Sequence, residues 1–470
     1  MVVMKFGGTS VADTAAIKRV IALVARERER NPATPGPVVV VSALSGVTDR
    51  LLEIGETAGS GDAGHAFEII DQLCGRHVDL AAALVQSDPD RTTMLATIRR
   101  ECDALRGLAQ ALGVLHDVSP RSLDALAATG ELLSSHVIAA AVADAGLPAT
   151  WIDARRAVVT DAEHTAAAPL VAETAAALER EMRPHLDAGR VPVLGGYVGA
   201  TPEGVTTTLG RGGSDYSASI IGACLGAREI QIWTDVDGML TADPRVVDAP
   251  ALVPRLSFAE ASELAYFGAK VLHPATIQPA VTRDIPVRIL NSRRPDVAGT
   301  LITAETPDGG TAASFGDGRG GPVTAIACKR DVTVIDITSS RMLMAYGFLR
   351  RLFEVFERLK TPVDVVCTSE VSVSVTIDDR RRLPALLEEV RGFAEVSCED
   401  RMALVCVVGE RLRTDPHVFT NIVKTLDGIP FRMVSQAASR RNITFVLRQA
   451  DLAIAMNRLH EHFFSAVAQS

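Results

Sequence analysis

Short apolar runs that stop at a glycine turn are the feature of this sequence that most restricts its fold. The first run, Met1–Lys5, ends at the pair Gly7-Gly8. Runs of this length bounded by glycine are typical of buried strands. Similar runs recur at Val38–Val41, Val191–Leu194 and Glu229–Thr234. The chain is therefore predicted to contain several strands that are buried on both faces.

Helical patterns lie between these runs. Ile17, Val20 and Val24 fall on one face of a predicted amphipathic helix, and the Ala- and Leu-rich stretch 49–143 indicates several more helices. Strands that alternate with helices favour a mainly parallel sheet covered on both faces, so we predict a three-layer open α/β fold. Ligands bind outside the carboxyl ends of strands in such sheets, which is where the glycine turns lie.

The sequence changes character at residues 305–322, a glycine-rich stretch without apolar periodicity that is predicted to be a linker. After it, short strands and helices follow a βαββαβ order twice, which predicts two ferredoxin-like domains. We predict a catalytic domain at 1–304, the linker at 305–322, and ferredoxin-like domains at 323–400 and 401–470.

The second ferredoxin-like unit ends before its last strand. Residues 323–329, upstream of the first unit, are predicted to supply that strand, because otherwise a sheet edge is left unpaired. The alternative is that the second unit simply lacks it.

Composition excludes some classes of function. The 470 residues carry a formal net charge of −9, so no basic footprint for nucleic acid is present. The N-terminus lacks a signal-peptide pattern, and no apolar stretch reaches the roughly 18 residues that a membrane span needs, so a soluble cytoplasmic protein is expected. The seven cysteines form no CxxC pair. We expect buried free thiols in a reducing compartment rather than disulfides or a zinc site.

Two segments combine glycine with charge. In Lys5-Phe6-Gly7-Gly8, glycine lets backbone N–H groups approach a phosphate and Lys5 adds a positive charge, although a strand followed by two glycines is more often just a tight turn. The segment 206–215 holds three threonines, three glycines, Arg211 and Asp215. Arg211 suits bidentate binding of a carboxylate, and Asp215 suits orienting a lysine or holding Mg²⁺.

Two further segments are less decisive. Thr234-Asp235 and the segment around Arg245 contain ordinary turn dipeptides, so a nucleotide role is only slightly favoured over a turn. Lys270 offers a second positive charge for phosphates.

These segments carry a family resemblance. KFGGTSV, VVVSALSGVTD, GEL, TTTLGRGGSDYSA, WTDVDG, TADPRVV and FGAKVLHP occur in the order found in the aspartate kinases of the amino-acid kinase family. The stretch GFLRRLFEVFERLKTPVDVVCTSEVSVSV is similar to the first ACT domain, a ferredoxin-like amino-acid sensor, of their lysine-sensitive type. The resemblance covers nearly the whole chain.

The resemblance implies phosphoryl transfer from ATP, with Mg²⁺, to the β-carboxylate of L-aspartate. This is the first step of lysine, threonine, methionine and diaminopimelate biosynthesis, under feedback inhibition by an amino acid, expected to be lysine. It also implies a homodimer or homotetramer formed through the ACT domains. No second Rossmann unit follows residue 470, so a monofunctional enzyme is expected.

The resemblance also assigns residues. The implied catalytic residues are Lys5, Asp215 and Lys270. The implied aspartate-binding residues are Ser42, Thr48, Glu131, Arg211, Gly212, Gly213 and Ser214. The implied nucleotide-binding residues are Lys5, Phe6, Gly7, Gly8, Thr234, Asp235, Arg245, Lys270 and Val271. The implied effector-binding residues are Met342, Gly347, Phe348, Leu349, Val363, Asp364, Thr368, Ser369 and Glu370. No residue is assigned as a metal ligand.

Two other functions were weighed. Another amino-acid kinase, acting on glutamate, acetylglutamate or uridylate, would keep the fold and change the acceptor, and the GEL and TTTLGRGGSDYSA segments argue against it. A non-catalytic amino-acid-sensing protein with an inactive kinase domain is disfavoured because Lys5, Asp215 and Lys270 are all present.

Overall fold

The structure is a computed structural model of the chain. It describes residues 1–30, 36–210, 212–268, 272–304, 322–339, 346–410, 412–436 and 439–464. The chain forms two compact units, which we call the first unit (1–238 and 272–304) and the second unit (239–271 and 305–470). The domain boundaries proposed from the sequence stay predictions.

Strands and helices alternate through most of the described chain. The strands are β1 (Val2–Phe6), β2 (Val38–Val41), β3 (Ala149–Trp151), β4 (Val191–Gly195), β5 (Val198–Ala200), β6 (Thr206–Thr208), β7 (Glu229–Thr234), β8 (Arg255–Ser257), β9 (Val287–Asn291), β10 (Thr300–Thr303), β11 (Ala325–Thr338), β12 (Val366–Thr368), β13 (Ser372–Ile377), β14 (Glu395–Val408), β15 (Met433–Ser435) and β16 (Asn442–Arg448). The α-helices are α1 (Thr14–Arg30), α2 (Val47–Gly59), α3 (Ala63–Leu84), α4 (Asp88–Leu115), α5 (Pro120–Asp144), α6 (Ala154–Ala157), α7 (Val171–Glu181), α8 (Arg183–Asp187), α9 (Gly213–Leu225), α10 (Phe258–Tyr266), α11 (Gln278–Thr282), α12 (Phe348–Arg358), α13 (Leu383–Arg391), α14 (Pro416–Thr425) and α15 (Leu452–Phe464).

The sheet of the first unit is mainly parallel, as predicted. Its strands follow the order β3-β4-β2-β1-β7-β9-β10. Strand β1 lies between β2 and β7 and pairs with both in parallel, whereas β10 runs antiparallel to β9. All five residues of β1 are buried. This central position fixes the carboxyl end of β1, with Lys5 and the glycine turn after it, at the middle of one sheet edge.

Helices α2 to α5 form a layer on this sheet and share one apolar core with it. Helix α5 is long and apolar enough to cross a membrane, but 78% of its apolar window is buried inside the protein. The expectation that no stretch reaches that length is therefore corrected. Its burial identifies α5 as the central helix of this layer.

The cysteine prediction was wrong at one place. Cys74 of α3 and Cys102 of α4 are joined in a disulfide, with their Cα atoms 6.2 Å apart. The pairing was invisible in the sequence because the residues are 28 positions apart and belong to no spacing motif. Only the packing of α3 against α4 brings them together. Cys224, Cys328, Cys367, Cys398 and Cys406 are free thiols.

The second unit contains one six-stranded antiparallel sheet with the order β12-β13-β11-β14-β16-β15. The sequence predicts separate strands at Thr324–Lys329 and Asp331–Thr338, which are one long strand here, β11. It also predicts separate strands at Glu395–Cys398 and Ala403–Val408, which are one long strand, β14. Residues 325–329 of β11 pair with 404–408 of β14, and 333–338 pair with 395–399. Irregular pairing and the left-handed backbone of Asp331 and Arg401 separate the two halves, so a bulge replaces the predicted loop.

Candidate active site

A cavity of about 740 Å³ opens at the carboxyl ends of the strands of the first unit. Loops at the ends of several strands surround it, including those after β4 and β7. Three of them contribute most of the lining. They follow β1, β2 and β6, and the loop after β6 leads directly into α9. The cavity is lined by Lys5, Gly7, Gly8, Thr9, Ser42, Ala43, Leu44, Ser45, Gly46, Thr48, Asp49, Glu131, Thr165, Tyr197, Gly210, Gly212, Gly213, Ser214, Asp215, Thr234 and Asp235.

Lys5 and Asp215 form an ion pair in this cavity. The Nζ atom of Lys5 lies 2.6 Å from Oδ1 of Asp215, and both side chains are nearly buried, at 11% and 13% exposure. Asp215 stands in the first turn of α9, where the helix dipole favours a negative charge. The pair therefore holds the lysine ammonium in one position beside the glycine turn, as the sequence suggested for an acid that orients a lysine.

The loop before α9 approaches the rest of the cavity closely. Gly212 has a left-handed backbone, with φ of 69°, and forms the N-cap of α9. A Cβ on Gly213 would lie 2.4 Å from the ring of Tyr197, and a Cβ on Gly196 would lie 2.7 Å from Ser214. These contacts explain why glycine stands at these positions. They also bring the first turn of α9 against the cavity, which Gly213, Ser214 and Asp215 line.

This packing gives a testable prediction. Gly196→Ala should push Ser214 and the first turn of α9 away from Lys5, and a displacement near 1 Å would lower kcat by roughly 10- to 100-fold. Gly107→Ala on α4 is the matched control, because a Cβ there meets no atom within 4 Å. Steady-state kinetics of the two variants provide the measurement. Equal kcat in both would contradict the proposed fit.

Glu131 is a buried acid at the floor of the cavity. It lies in α5, is 4% exposed, and its side chain accepts a hydrogen bond from the backbone N–H of Ala43. Its second oxygen, Oε2, has no hydrogen-bond partner among the residues that the structure describes. Burial raises the pKa of Glu131 to about 8. Such a group is a ready acceptor for a cation that enters the cavity.

Hydroxyl groups connect the second loop to α9. The Ser42 hydroxyl donates to Oγ of Ser214 over 3.0 Å, and the Ser134 hydroxyl of α5 donates to the Ser42 carbonyl over 2.9 Å. Thr48 also lines the cavity. Four of the predicted substrate residues thus line the same cavity: Ser42, Thr48, Glu131 and Ser214.

Thr234 and Asp235 lie at the end of β7, on the same cavity. The Asn291 amide donates to the Asp235 carbonyl and to Oδ1 of Asp237, which fixes this loop. Phe6, by contrast, is fully buried and belongs to the apolar core. A nucleotide contact from Phe6 is therefore restricted to its backbone.

Several predicted residues lie elsewhere. Arg211, Lys270, Val271 and Met342 fall outside the described residues. Arg245 belongs to the second unit, where its guanidinium makes a bidentate pair with Asp243. Their roles stay predictions.

The predicted effector residues lie in the first ferredoxin-like part of the second unit. Gly347 is the N-cap of α12, Phe348 packs against the ring of Phe393, and Leu349 is exposed. Val363 accepts a hydrogen bond from the Tyr266 hydroxyl. The others lie beside or in the hairpin β12–β13: Asp364, Thr368, Ser369 and Glu370.

Asp364 is the chemically distinctive member of this group. The Nζ atom of Lys329 lies 2.7 Å from Oδ1 of Asp364 and 2.6 Å from Oδ2 of Asp378. Burial raises the pKa of Asp364. Its Oδ2 is buried and has no hydrogen-bond partner within the described part of the chain. Two carboxyl groups thus share one lysine and leave an acceptor atom free.

The sequence interpretation missed part of the cavity wall. Tyr197 follows the glycine pair after β4, a position that could have been inferred from the strand-end rule. Thr165 lies in an irregular loop, and the residue pattern around it offers no comparable signal. Thr9, Ser45 and Asp49 also line the cavity and are neighbours of predicted residues in the same loops.

Comparison with known proteins agrees with this geometry. The sequence profile of the amino acid kinase family matches residues 1–291, and an ACT domain profile matches residues 405–463. The chain therefore belongs to the amino acid kinase family.

Relatives that match over the full length of the chain show which subgroup of the amino acid kinase family it belongs to. Lysine-sensitive aspartokinase 3 of Escherichia coli K12 is 34% identical over 473 residues, which cover 99% of both chains. Chloroplastic aspartokinase 1 of Arabidopsis thaliana is 35% identical over 477 residues, 99% of this chain and 80% of the relative. Within its family, the chain belongs to the aspartokinases.

Solved structures support the same assignment. The crystal structure of E. coli aspartokinase III with lysine and aspartate, in the T state, matches with a TM-score of 0.82 at 33% identity and covers 99% of both chains. The structure of that enzyme with aspartate and ADP, in the R state, matches with a TM-score of 0.81 at 33% identity, covering 99% of this chain and 100% of the other.

Proposed function

We propose that this aspartokinase uses the cavity of the first unit to transfer the γ-phosphoryl group of ATP to the β-carboxylate of L-aspartate. The observation that carries the proposal is the placement of a lysine ammonium and a buried carboxyl group on one cavity. The buried ion pair of Lys5 and Asp215 stands at the glycine turn, and the buried Glu131 lines the same space. This reaction requires an ammonium group for the phosphate and a carboxyl group that ionises when the substrate's own ammonium group binds beside it.

The chemistry depends on relieving repulsion between anions. The β-carboxylate of aspartate has an ordinary pKa of about 3.9 and is ionised at neutral pH, so it needs no general base. It must approach a polyanionic triphosphate in line with the leaving oxygen. The Gly7 N–H already donates to the Trp233 carbonyl over 3.1 Å, so the expected contact from that donor is corrected. Lys5 and the backbone N–H of Gly8 neutralise the transferred phosphoryl oxygens. Because Asp215 fixes the ammonium in place, little reorganisation accompanies the transition state.

Aspartate is held at the opposite side of the cavity. Glu131 accepts its α-ammonium group, and Arg211 clamps its α-carboxylate by a bidentate pair. Ser42, Thr48 and Ser214 supply hydroxyl groups beside the acceptor. Thr234 and Asp235 face the nucleotide, and Lys270 adds a second positive charge near the phosphates.

Mg²⁺ is expected to enter with ATP. No cluster of three or more His, Cys, Asp or Glu side chains suited to a metal occurs among the described residues. Kinase sites hold Mg²⁺ through one or two carboxylates together with substrate phosphates, and the carboxylates of Asp215 and Asp235 line the cavity. These two residues fit that arrangement, in which the ion adds neutralising charge to the phosphates.

Lysine is the proposed effector. The E. coli relative of known structure was solved with lysine bound, and that enzyme is named lysine-sensitive. In this chain the free, buried Oδ2 of Asp364 is suited to accept an ammonium group. Lys329, Asp364 and Asp378 together carry one more negative than positive charge when ionised, which favours a cationic ligand.

Lysine inhibition is a direct test of this proposal. Asp364→Asn should raise the lysine concentration for half inhibition by about 10-fold or more, because a charge-assisted hydrogen bond is replaced by a neutral one. The values of kcat and KM without lysine should not change. Asp379→Asn, at a partly exposed carboxylate that pairs with the exposed Arg381, is the control. A flat lysine dose–response of the unmodified enzyme would refute the effector assignment.

A homodimer or homotetramer formed through the ACT domains and a cytoplasmic location are further proposals, both supported by the family relationship. Sedimentation of the purified protein with and without lysine tests the first of them.

Acceptor profiling tests the activity itself. ADP release from ATP should require L-aspartate and should be absent with glutamate, N-acetylglutamate or uridylate. Trapping the acyl phosphate with hydroxylamine identifies the product. ADP release with one of the other acceptors alone would assign a different amino-acid kinase, and no release with any acceptor would favour a purely regulatory protein.

A further inference from the structure

Two loops form the wall of the active-site cavity at which both substrates must meet. We call residues 7–12 the phosphate loop and residues 42–48 the acceptor loop. Their backbones are in close contact, since a Cβ on Gly8 would lie 3.0 Å from the Ala43 carbonyl oxygen and 3.5 Å from the Ser45 nitrogen. The phosphate loop follows strand β1, and the acceptor loop follows strand β2. Their relative position therefore decides how the acceptor meets the phosphate.

Arg76 connects these loops from outside the cavity. Its Nη1 donates to the Ser45 carbonyl of the acceptor loop over 2.9 Å. Its Nη2 donates to the Ala12 carbonyl of the phosphate loop, also over 2.9 Å. One planar guanidinium thus holds two backbone carbonyls that lie 33 residues apart in the sequence, Ala12 and Ser45.

The helix that carries Arg76 is firmly placed. On α3, Leu73 and His77 flank Arg76 and are buried, and the Leu73 carbonyl contacts Nδ1 of His77 at 2.7 Å. Helix α3 packs against α2 and α4. The backbone of Arg76 is therefore held in place by the core. Its guanidinium in turn holds the two loops at a fixed distance from α3.

We propose that Arg76 is a positioning residue that sets the distance between the phosphate loop and the acceptor loop. This inference rests on the phosphoryl transfer proposed above. Arg76 does not line the cavity, so its influence on the reaction passes through the two loops. Its two hydrogen bonds keep the loops in one relative position. The reacting groups on these loops then meet without a search over loop conformations.

The proposal predicts an effect on turnover rather than on binding. Arg76→Ala should lower kcat by about 10- to 100-fold, because a misplacement near 1 Å has effects of that order. KM for aspartate and for ATP should change by less than about 3-fold, since the groups that bind each substrate remain. Arg106→Ala is the matched control. Arg106 forms an exposed ion pair with Asp71 of α3 but contacts neither loop.

Chemical rescue separates positioning from general destabilisation. Guanidinium chloride at non-denaturing, millimolar concentration should restore part of the kcat of Arg76→Ala, whereas potassium chloride at equal ionic strength should not. Arg76→Lys keeps the charge but not the two-pronged geometry, and it should show an intermediate kcat. If Arg76→Ala fails to fold, the kcat of Arg76→Lys tests the proposal in its place.

The outcomes are distinct. A kcat of Arg76→Ala equal to that of Arg106→Ala would overturn the proposal. So would a lowered kcat that follows a lowered thermal midpoint and does not respond to guanidinium, because that pattern is structural only. If the unmodified protein releases no ADP with aspartate, the proposed function fails instead, and this failure precedes any comparison of the variants.

Discussion

Lys5→Ala should lower kcat by about 10³-fold or more while the KM for aspartate changes little. The Lys5 ammonium is held by Asp215 at the glycine turn and is nearly buried, so it acts on the phosphoryl oxygens in a site with little water. Removing one preorganised charge of this kind from a phosphoryl-transfer site costs about 4–5 kcal/mol of transition-state stabilisation. Steady-state kinetics with aspartate and ATP varied separately give both constants.

Lys18→Ala is the control for this experiment. Lys18 is an exposed lysine of α1, so its removal changes the net charge equally without touching the cavity. An unchanged kcat in Lys5→Ala would contradict the phosphate assignment. A rise in the KM for aspartate with kcat retained would place Lys5 at the acceptor instead.

Several residues of this cavity can be placed from the sequence because they lie at strand ends. Lys5 lies near the carboxyl end of β1 and Asp235 follows β7, and the carboxyl ends of parallel strands meet at one edge. Glu131 entered only through the family resemblance. Glu131 lies in helix α5, more than 100 residues after Lys5, and no local pattern indicates that it faces the same cavity.

Features that depend on long-range packing were missed. No strand is predicted at 206–208, which is strand β6 and pairs antiparallel with β5. The disulfide of Cys74 and Cys102 depends on how α3 packs against α4. The bulged strands β11 and β14 place both predicted ferredoxin-like parts in one sheet of the second unit. The local sequence at Asp331 and Arg401 does not indicate these bulges.

The pKa of Glu131 makes the stability of the free enzyme depend on pH. Burial raises this pKa to about 8, whereas a glutamate in the unfolded chain has a pKa of about 4.3. Between these values the folded chain binds more protons than the unfolded chain does. The free energy of unfolding should therefore fall as pH rises through this window, by up to about 1.4 kcal/mol per pH unit from this group alone.

Glu131→Gln removes this titration. Urea unfolding of the free enzyme at pH 5.5 and 7.5 should show the variant gaining roughly 2–3 kcal/mol relative to the unmodified protein between the two pH values. Taking the difference between proteins cancels the other titrating groups. Glu173→Gln, at an exposed glutamate of α7, should show no such change. Parallel curves for Glu131→Gln and the unmodified protein would contradict the raised pKa.

The same substitution should weaken aspartate binding. An entering α-ammonium group stabilises the ionised form of Glu131, so aspartate binding at pH 7 should release close to one proton from the unmodified enzyme. Calorimetry in buffers of different ionisation enthalpy measures this release. In Glu131→Gln the release should vanish and the KM for aspartate should rise by about 100-fold, as expected when one partner of a buried charge pair is removed. A buried acid that destabilises the empty site thus becomes favourable when the substrate's ammonium group is bound. Proton release that persists in Glu131→Gln would assign the ammonium to another carboxylate.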